Sequence, residues 1–326
     1  MNKFKFYFVV ISFAALLFSC NNNDDTPEPV PVRAFDVQYK TDSITIVGYL
    51  KSQYIANLSN PDFANEDIVF AKIPDGGDQK SIFDFLNSDS YPKLLVKKIS
   101  LHDIEYEIYY LKLRADNESG KQPTRVDEVL AAYSGFYLSS KTEEAGTTIE
   151  GTPFETVVFP QSMLGLDRTI RGWGDIFPRF KAGDYTEDRL NPSPDPASFT
   201  NFGAGVMFLP SGLAYFNSPP LGSRIPSYAP LVFTFKLYAV KQADQDQDGI
   251  LSKDENVVDE NGNFTNQDTD KDGRSDYLDI DDDGDGVLTK NEIKDPITGL
   301  AYSFDLIPNC GNSGNGKKKH LDSSCH

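Results

Sequence analysis

Residues 231–240 read LVFTFKLYAV. Leu231, Phe233, Phe235 and Leu237 recur at every second position, and a period of two sets them on one face of a β-strand. Directly downstream the composition changes. Residues 244–255 read DQDQDGILSKDE, with acids at alternate positions, a glycine at the sixth and an acid at the twelfth. The strand therefore divides the chain into an upstream part rich in β patterning and a downstream acidic part.

The acidic part repeats its pattern three times. Calcium loops take ligands from positions 1, 3, 5, 7, 9 and 12 and need glycine at 6 for a sharp turn. Loop one offers Asp244, Asp246, Asp248, the carbonyl of Ile250, Ser252 and Glu255. Loop two, DTDKDGRSDYLD, offers Asp268, Asp270, Asp272, the carbonyl of Arg274, Asp276 and Asp279. Loop three, DDDGDGVLTKNE, offers Asp281, Asp283, Asp285, the carbonyl of Val287, Thr289 and Glu292. Hard carboxylate oxygens suit Ca²⁺, and a solvated acidic tail would not place Gly249, Gly273 and Gly286 in register. Residues 244–295 carry 18 acids against 5 bases, so without cation the segment is expected to expand by repulsion. Loops two and three are separated by Ile280 alone, which leaves no room for the helix pair of a sensor EF-hand. The arrangement resembles the packed calcium repeats of thrombospondin type 3 and implies a structural brace. The formal net charge of the chain, −18, argues against a nucleic-acid partner.

Upstream, VMFLP, DEVLAAYSGFYL and YEIYYLKLRA have strand composition. Ile44, Val47, Leu50 and Tyr54 recur near helical spacing, predicting a helix over residues 35–54 in which Asp42 or Ser43 caps a part. SIFDFLN is a short helical candidate. DYTEDRLNPSPDPASFTNFGAG is a long Pro- and Asp-rich insertion, and loops of this length are often functional or mobile.

Five segments occur in a telling order: VDEVLAAYSGFYL, EGTPFET, TIRGWGDIFPRFKAG, VMFLPSGLAY and IPSYAPLVFTFKLYAV. On these motifs residues from about 105 to 240 resemble FKBP-type peptidyl-prolyl isomerases. The resemblance implies an α+β fold, a twisted antiparallel sheet wrapped on one short helix that starts after Gly172. To this the sequence adds an N-terminal helical extension and the C-terminal calcium-loop segment. Carried over by position, the pocket comprises Tyr133, Phe154, Thr169, Ile170, Trp173, Tyr215, Ile225 and Phe233. Trp173 would form the floor, Ile170 would offer its backbone N–H to a substrate carbonyl, and Tyr215 its hydroxyl to another. Glu155 stands where the family has Asp, Phe216 where it has Gly, and Phe159 is a further candidate for the lining.

The implied activity is rotation of X–Pro bonds, with proline-containing polypeptides as substrates. The barrier is about 18–20 kcal/mol. A dry apolar pocket favours the twisted amide, which carries less charge separation than the planar one. No cofactor or proton relay is needed. The segment 105–240 contains neither His nor Cys, which excludes a His-based triad there.

The first residues read as an export signal. Lys3 and Lys5 precede FYFVVISFAALLF, an apolar run shorter than the roughly 20 residues of a spanning helix. LFSC resembles a bacterial lipobox, so Cys20 is expected to carry lipid and anchor the chain to a membrane of the cell envelope, as in Bacteroidetes-type lipoproteins. Cys310 and Cys325 then remain, and export favours a bridge between them. His320 and His326 are expected at the surface. The expected organisation is a signal peptide (1–20), a tether (21–33), an extension (34–104) and an isomerase domain (105–241) with its insertion at 184–205. Calcium repeats (242–295) and a tail (296–326) follow. Two other readings stand beside the enzyme: a non-catalytic chaperone that binds proline peptides, and a calcium-dependent surface adhesion or spacer protein.

Overall fold

The computed structural model describes residues 31–58, 67–143, 146–185, 198–258, 264–311 and 316–325. The expected signal peptide, Cys20 and most of the tether lie outside these residues. The chain divides after Arg33, and everything below concerns the unit from Ala34 onward. Helix α1 (Phe35–Ser52) leads into the paired strands β1 (Gln53–Ile55) and β2 (Phe70–Lys72). Strands β3 (Lys93–Leu101) and β4 (Ile104–Lys112) form a hairpin. Its two loop residues, His102 and Asp103, both have positive φ, as the tightest hairpin turn requires. A longer hairpin joins β5 (Glu128–Glu143) to β6 (Gly146–Val157), and β7 (Leu164–Gly165) pairs with β5. Then come helix α2 (Arg171–Ile176) and strands β8 (Asp184–Tyr185), β9 (Phe199–Thr200), β10 (Gly203–Leu209) and β11 (Leu231–Lys241). Strands β12 (Asn256–Val258) and β13 (Phe264–Asn266) and the one-turn α3 (Thr289–Glu292) belong to the acidic part.

The main sheet runs β3-β4-β10-β11-β5-β6, and every pairing is antiparallel. Alternation along β11 works as expected. Leu231, Phe233, Phe235 and Leu237 enter one core together with Trp173, Ile176, Phe177 and Phe180 from the α2 region. The sheet thus wraps one short helix. Gly172 permits the close approach: a Cβ there would lie 2.4 Å from Leu209 Cδ2.

The opposite face is also covered, which alternation on β11 alone does not reveal. Val232, Ala204, Val206 and Phe208 pack with Ile46, Tyr49 and Leu50 of α1, and with Ile82, Phe85 and Leu94. Every residue of β10 is buried. A strand with both faces buried reads as a continuous apolar run, here GAGVMFL. The 3₁₀ turn Ile82–Phe85 realises the short helical candidate, and a reciprocal cap between Ser81 and Asp84 starts it.

Three boundaries move. The division expected between residues 104 and 105 falls inside the β3–β4 hairpin. Residues 203–205, placed in the insertion, open β10, while the insertion's ends are closed by the β8–β9 pair. Residues 186–197 within it lie outside the described residues. Helix α1 ends at Ser52, and its inward stripe is rotated from the expected one. Gln38, Asp42, Thr45, Ile46, Tyr49 and Leu50 are buried, whereas Ile44 is 74% exposed. The stripe begins with polar residues, so a search for apolar periodicity misses it.

Asp42 caps nothing; it sits mid-helix and buried. Its Oδ1 accepts from Gln38 Nε2 at 2.6 Å, and its Oδ2 accepts from Ser211 N and Oγ at 2.7 and 2.6 Å. Gln38 also donates to Tyr228 O. Helix α1 therefore grips both ends of the loop between β10 and β11. Asp42→Ala would strand several buried donors, each costing about 1–3 kcal/mol. The expected loss is about 3 kcal/mol or more by chemical denaturation, with a smaller loss for Asp42→Asn. A change below about 0.5 kcal/mol would show that the grip is idle.

Candidate functional site

The sheet and α2 bring the expected aromatic set together. Trp173 lies at the base, 5% exposed. Tyr133 and Phe233 meet its ring edge-to-face, with centroids at 4.9 and 5.1 Å. Phe154 meets Phe233 in the same way at 5.6 Å. Aromatic edges presented to aromatic faces are the preferred geometry. Gly135, opposite Phe233 in the ladder, makes the pair possible, since a Cβ there would lie 2.5 Å from Phe154 Cζ. Ile225 is buried, while Tyr133, Phe154, Ile170 and Tyr215 are half-buried and form the rim. Phe159, by contrast, is 71% exposed and takes no part in the lining.

Polar groups sit at the edge. Ile170 is the N-cap of α2, where backbone donors lack helical partners. Its carbonyl accepts from Trp173 N at 3.0 Å, and among the described residues its own N–H donates to no acceptor. Thr169 Oγ1 donates instead to Leu166 O. Burial first, then the Glu155 carboxylate by its charge and hydrogen bond, pushes the Tyr133 hydroxyl up to about 12. Burial and Glu155 also raise Tyr215. Glu155 thus faces both hydroxyls. Trp173 Nε1 is buried without a partner among the described residues.

Phe216 has a positive φ of 51°. A bulky residue rarely adopts that conformation. Its ring stacks on Phe35 at 4.1 Å and meets Tyr228 at 5.0 Å. The resemblance pointed to Phe216 as a departure; only the structure gives it a partner, the first residue of α1. Cavities of about 580 and 380 Å³ open elsewhere, one between α1, β2 and the β5–β6 face, the other beside Arg125 and Pro178. Trp173 lines neither.

The acidic segment repeats one geometry three times. Gly249, Gly273 and Gly286 have φ of 104°, 96° and 92°, and Gln247, Lys271 and Gly284 two residues earlier are also positive. In each loop the fifth-position carboxylate accepts the N–H two residues on, at 2.6–2.7 Å. Position nine departs from expectation. Ser252, Asp276 and Thr289 accept the N–H of Gln245, Thr269 and Asp282, seven residues earlier. These side chains close the loop rather than standing free as ligands. Three groups of acids converge: Asp244, Asp246 and Asp248; Asp268, Asp270 and Asp272; Asp281, Asp283 and Asp285.

Whether a cation fits can be judged from the oxygens left over. Among the described residues, Asp244, Asp246, Asp248, Asp281 and Asp283 each bury an oxygen with no hydrogen-bond partner, and Glu255 and Glu292 bury both. Unpaired buried carboxylates are costly, and a divalent ion is the group that satisfies several at once. The donor set therefore fits Ca²⁺. Asp279 is engaged by the N–H of Asp281.

Loop one is fastened to the sheet through Ala243 N, which donates to buried Asp127, and Gln245 Nε2, which donates to Val126 O. The tail folds back: Ile307 packs with Ile250 and Ile293. His320 is buried, not at the surface, and burial lowers it to about 4; His326 lies outside the described residues. Cys310 and Cys325 are thiols within hydrogen-bonding reach of each other, with no disulfide between them.

A family model described as BamM C-terminal matches residues 245–317, and no curated protein matches the chain. Several solved structures are similar to part of the chain. A peptidyl-prolyl cis-trans isomerase of Pseudomonas syringae pv. tomato shares 17% identity over 66% of this chain and 100% of its own, with a TM-score of 0.34. FkpA of Escherichia coli shares 20% over 47% and 54%, at 0.27. The N-terminal domain of FKBP42 from Arabidopsis thaliana shares 13% over 41% and 87%, at 0.28.

Proposed function

We propose that the chain is a peptidyl-prolyl cis-trans isomerase of the FKBP type, exported and anchored through lipid on Cys20, with a calcium-braced C-terminal appendage. One observation carries the reading: aromatic rings set edge-to-face around Trp173, with half-buried Tyr215 beside them and an Ile170 N–H that, among the described residues, donates to no backbone acceptor. An X–Pro segment would rest its ring against Trp173, Phe233 and Phe154. The Ile170 donor would hold one substrate carbonyl, and Tyr215 another. As the amide twists it loses charge separation, and the apolar walls favour that state over the planar one. Glu155 holds the Tyr133 hydroxyl and keeps that wall in place. The acidic loops do no chemistry; their carboxylates would hold cations that keep loop one beside the start of β5 and give the tail a surface to pack on.

A direct proline-peptide isomerisation assay on the mature chain tests this. Faster relaxation than in buffer is expected. Relaxation at the uncatalysed rate with peptide still bound would replace the enzyme with the second reading, a binding module. That reading draws on the near-complete enclosure of Trp173. No binding at all would remove both.

The thiol contact supports an oxidised form of the tail. Under mild oxidant, Cys310 and Cys325 are expected to link within one chain, read as a two-hydrogen mass loss and loss of both free thiols; two persisting thiols would refute it.

A further inference from the structure

Loop three contains an acid that the calcium pattern leaves without a role. Asp282 occupies the second position, between the ligand positions 281 and 283. It is 2% exposed, and neither of its carboxylate oxygens has a partner among the described residues. One of these oxygens lies within 4.8 Å of a carboxylate oxygen of Asp248 and of Glu255, both in loop one and both buried. Glu255 also has both oxygens unpartnered, and Asp248 has one. Among the described residues no Lys or Arg forms an ion pair with any of the three. Three such carboxylates are held together in the interior only when protonated or when a positive charge sits among them.

The second position does a distinct job in each loop. In loop one Gln245 reaches Val126 of the sheet unit. In loop two the Thr269 hydroxyl donates to Asp276 within its own loop. In loop three the Asp282 N–H is fixed by Thr289 Oγ1 at 3.1 Å, and its side chain crosses to loop one. We propose that Asp282 is a ligand of the loop-one cation, so that loop three completes a site whose other acids come from residues 244–255. Loop one then cannot bind at full strength unless loop three is folded, and the cation itself ties one loop to the other. This rests on the calcium reading of the segment.

Calorimetric titration of the cation-stripped mature chain with CaCl₂ tests it. Asp282→Asn and Glu255→Gln are each expected to weaken one site by about tenfold or more, because ligand charge sets affinity in such loops. The double variant should weaken that same single site further and leave the remaining sites at wild-type affinity, since both residues serve one cation. Asp282→Glu, which keeps a carboxylate, should retain binding better than Asp282→Ser. Asp305→Asn, exposed and outside the clusters, controls for charge. Wild-type titration by Asp282→Asn would overturn the assignment. So would a double variant in which two separate sites are weakened, or equal loss in Asp282→Glu and Asp282→Ser, which would make the residue a packing element. A wild-type chain that takes up no calcium would remove the calcium reading itself, a result distinct from all of these.

Discussion

Stripping calcium at about pH 8 is expected to unfold residues 244–292 while the main sheet stays folded, and acidification to about pH 5 should restore part of their order. Burial is the main reason these carboxylates resist ionisation. It pushes Asp246 up to about 7, Asp248 and Asp283 to about 6, Glu292 to about 8, Asp282 to about 9 and Glu255 to about 10, with neighbouring acids adding to each. The sign follows directly. A carboxyl whose folded value is raised leaves the folded chain holding more protons than the unfolded one. Stability without cation therefore falls as pH rises from about 4 towards about 10. Each unit of rise is about 1.4 kcal/mol, so several such groups exceed what a small appendage can spare. Bound calcium would replace the protons, and its binding would release them. Amide hydrogen exchange, corrected for intrinsic rate, should show protection of residues 244–292 lost in chelator at the higher pH and regained with calcium. Equal protection in all conditions would sink the prediction.

Replacing Trp173 should have the largest effect on turnover. Trp173→Leu keeps an apolar side chain in the core but removes the flat base against which Tyr133 and Phe233 are set. If that base supplies about 3 kcal/mol of transition-state stabilisation, kcat/KM falls by about a hundredfold. Trp173→Ala should fall as far and also lose about 3–5 kcal/mol of stability. Tyr215→Phe removes one donor and should cost about 1 kcal/mol, less than tenfold. Rates for proline-peptide isomerisation, measured beside unfolding curves, separate the two losses. A folded Trp173→Leu chain with wild-type kcat/KM would mean that rotation does not occur over the indole.

Much of the sheet was legible because its signals are local. The alternation in β11 and the Gly-Trp start of α2 follow from neighbours in sequence. The turns of the acidic loops were legible for the same reason: a glycine at a fixed offset from alternating acids takes the positive φ seen at Gly249, Gly273 and Gly286. Contacts between distant segments were not. Asp42 meets Ser211 across 169 positions, and no spacing rule announces a buried carboxylate on a helix. The second-position Asp282 looked like one more acid in an acidic run, since its partner lies in another loop. Ser252 and Thr289 fitted the ligand pattern by type, yet a hydroxyl serves equally well to close a turn.

The double cover of β10 bears on how the sheet unit can be cut out for study. An excised fragment starting at residue 105 would split a hairpin and lay bare Val206, Phe208 and Val232, now roofed by Ile46, Tyr49 and Leu50. Apolar surface of that extent invites clumping. It would also free the segment bearing Tyr215 from Gln38 and Asp42. The smallest useful truncation therefore keeps the chain from Phe35, and inactivity in anything shorter would speak of a lost scaffold, not of absent chemistry.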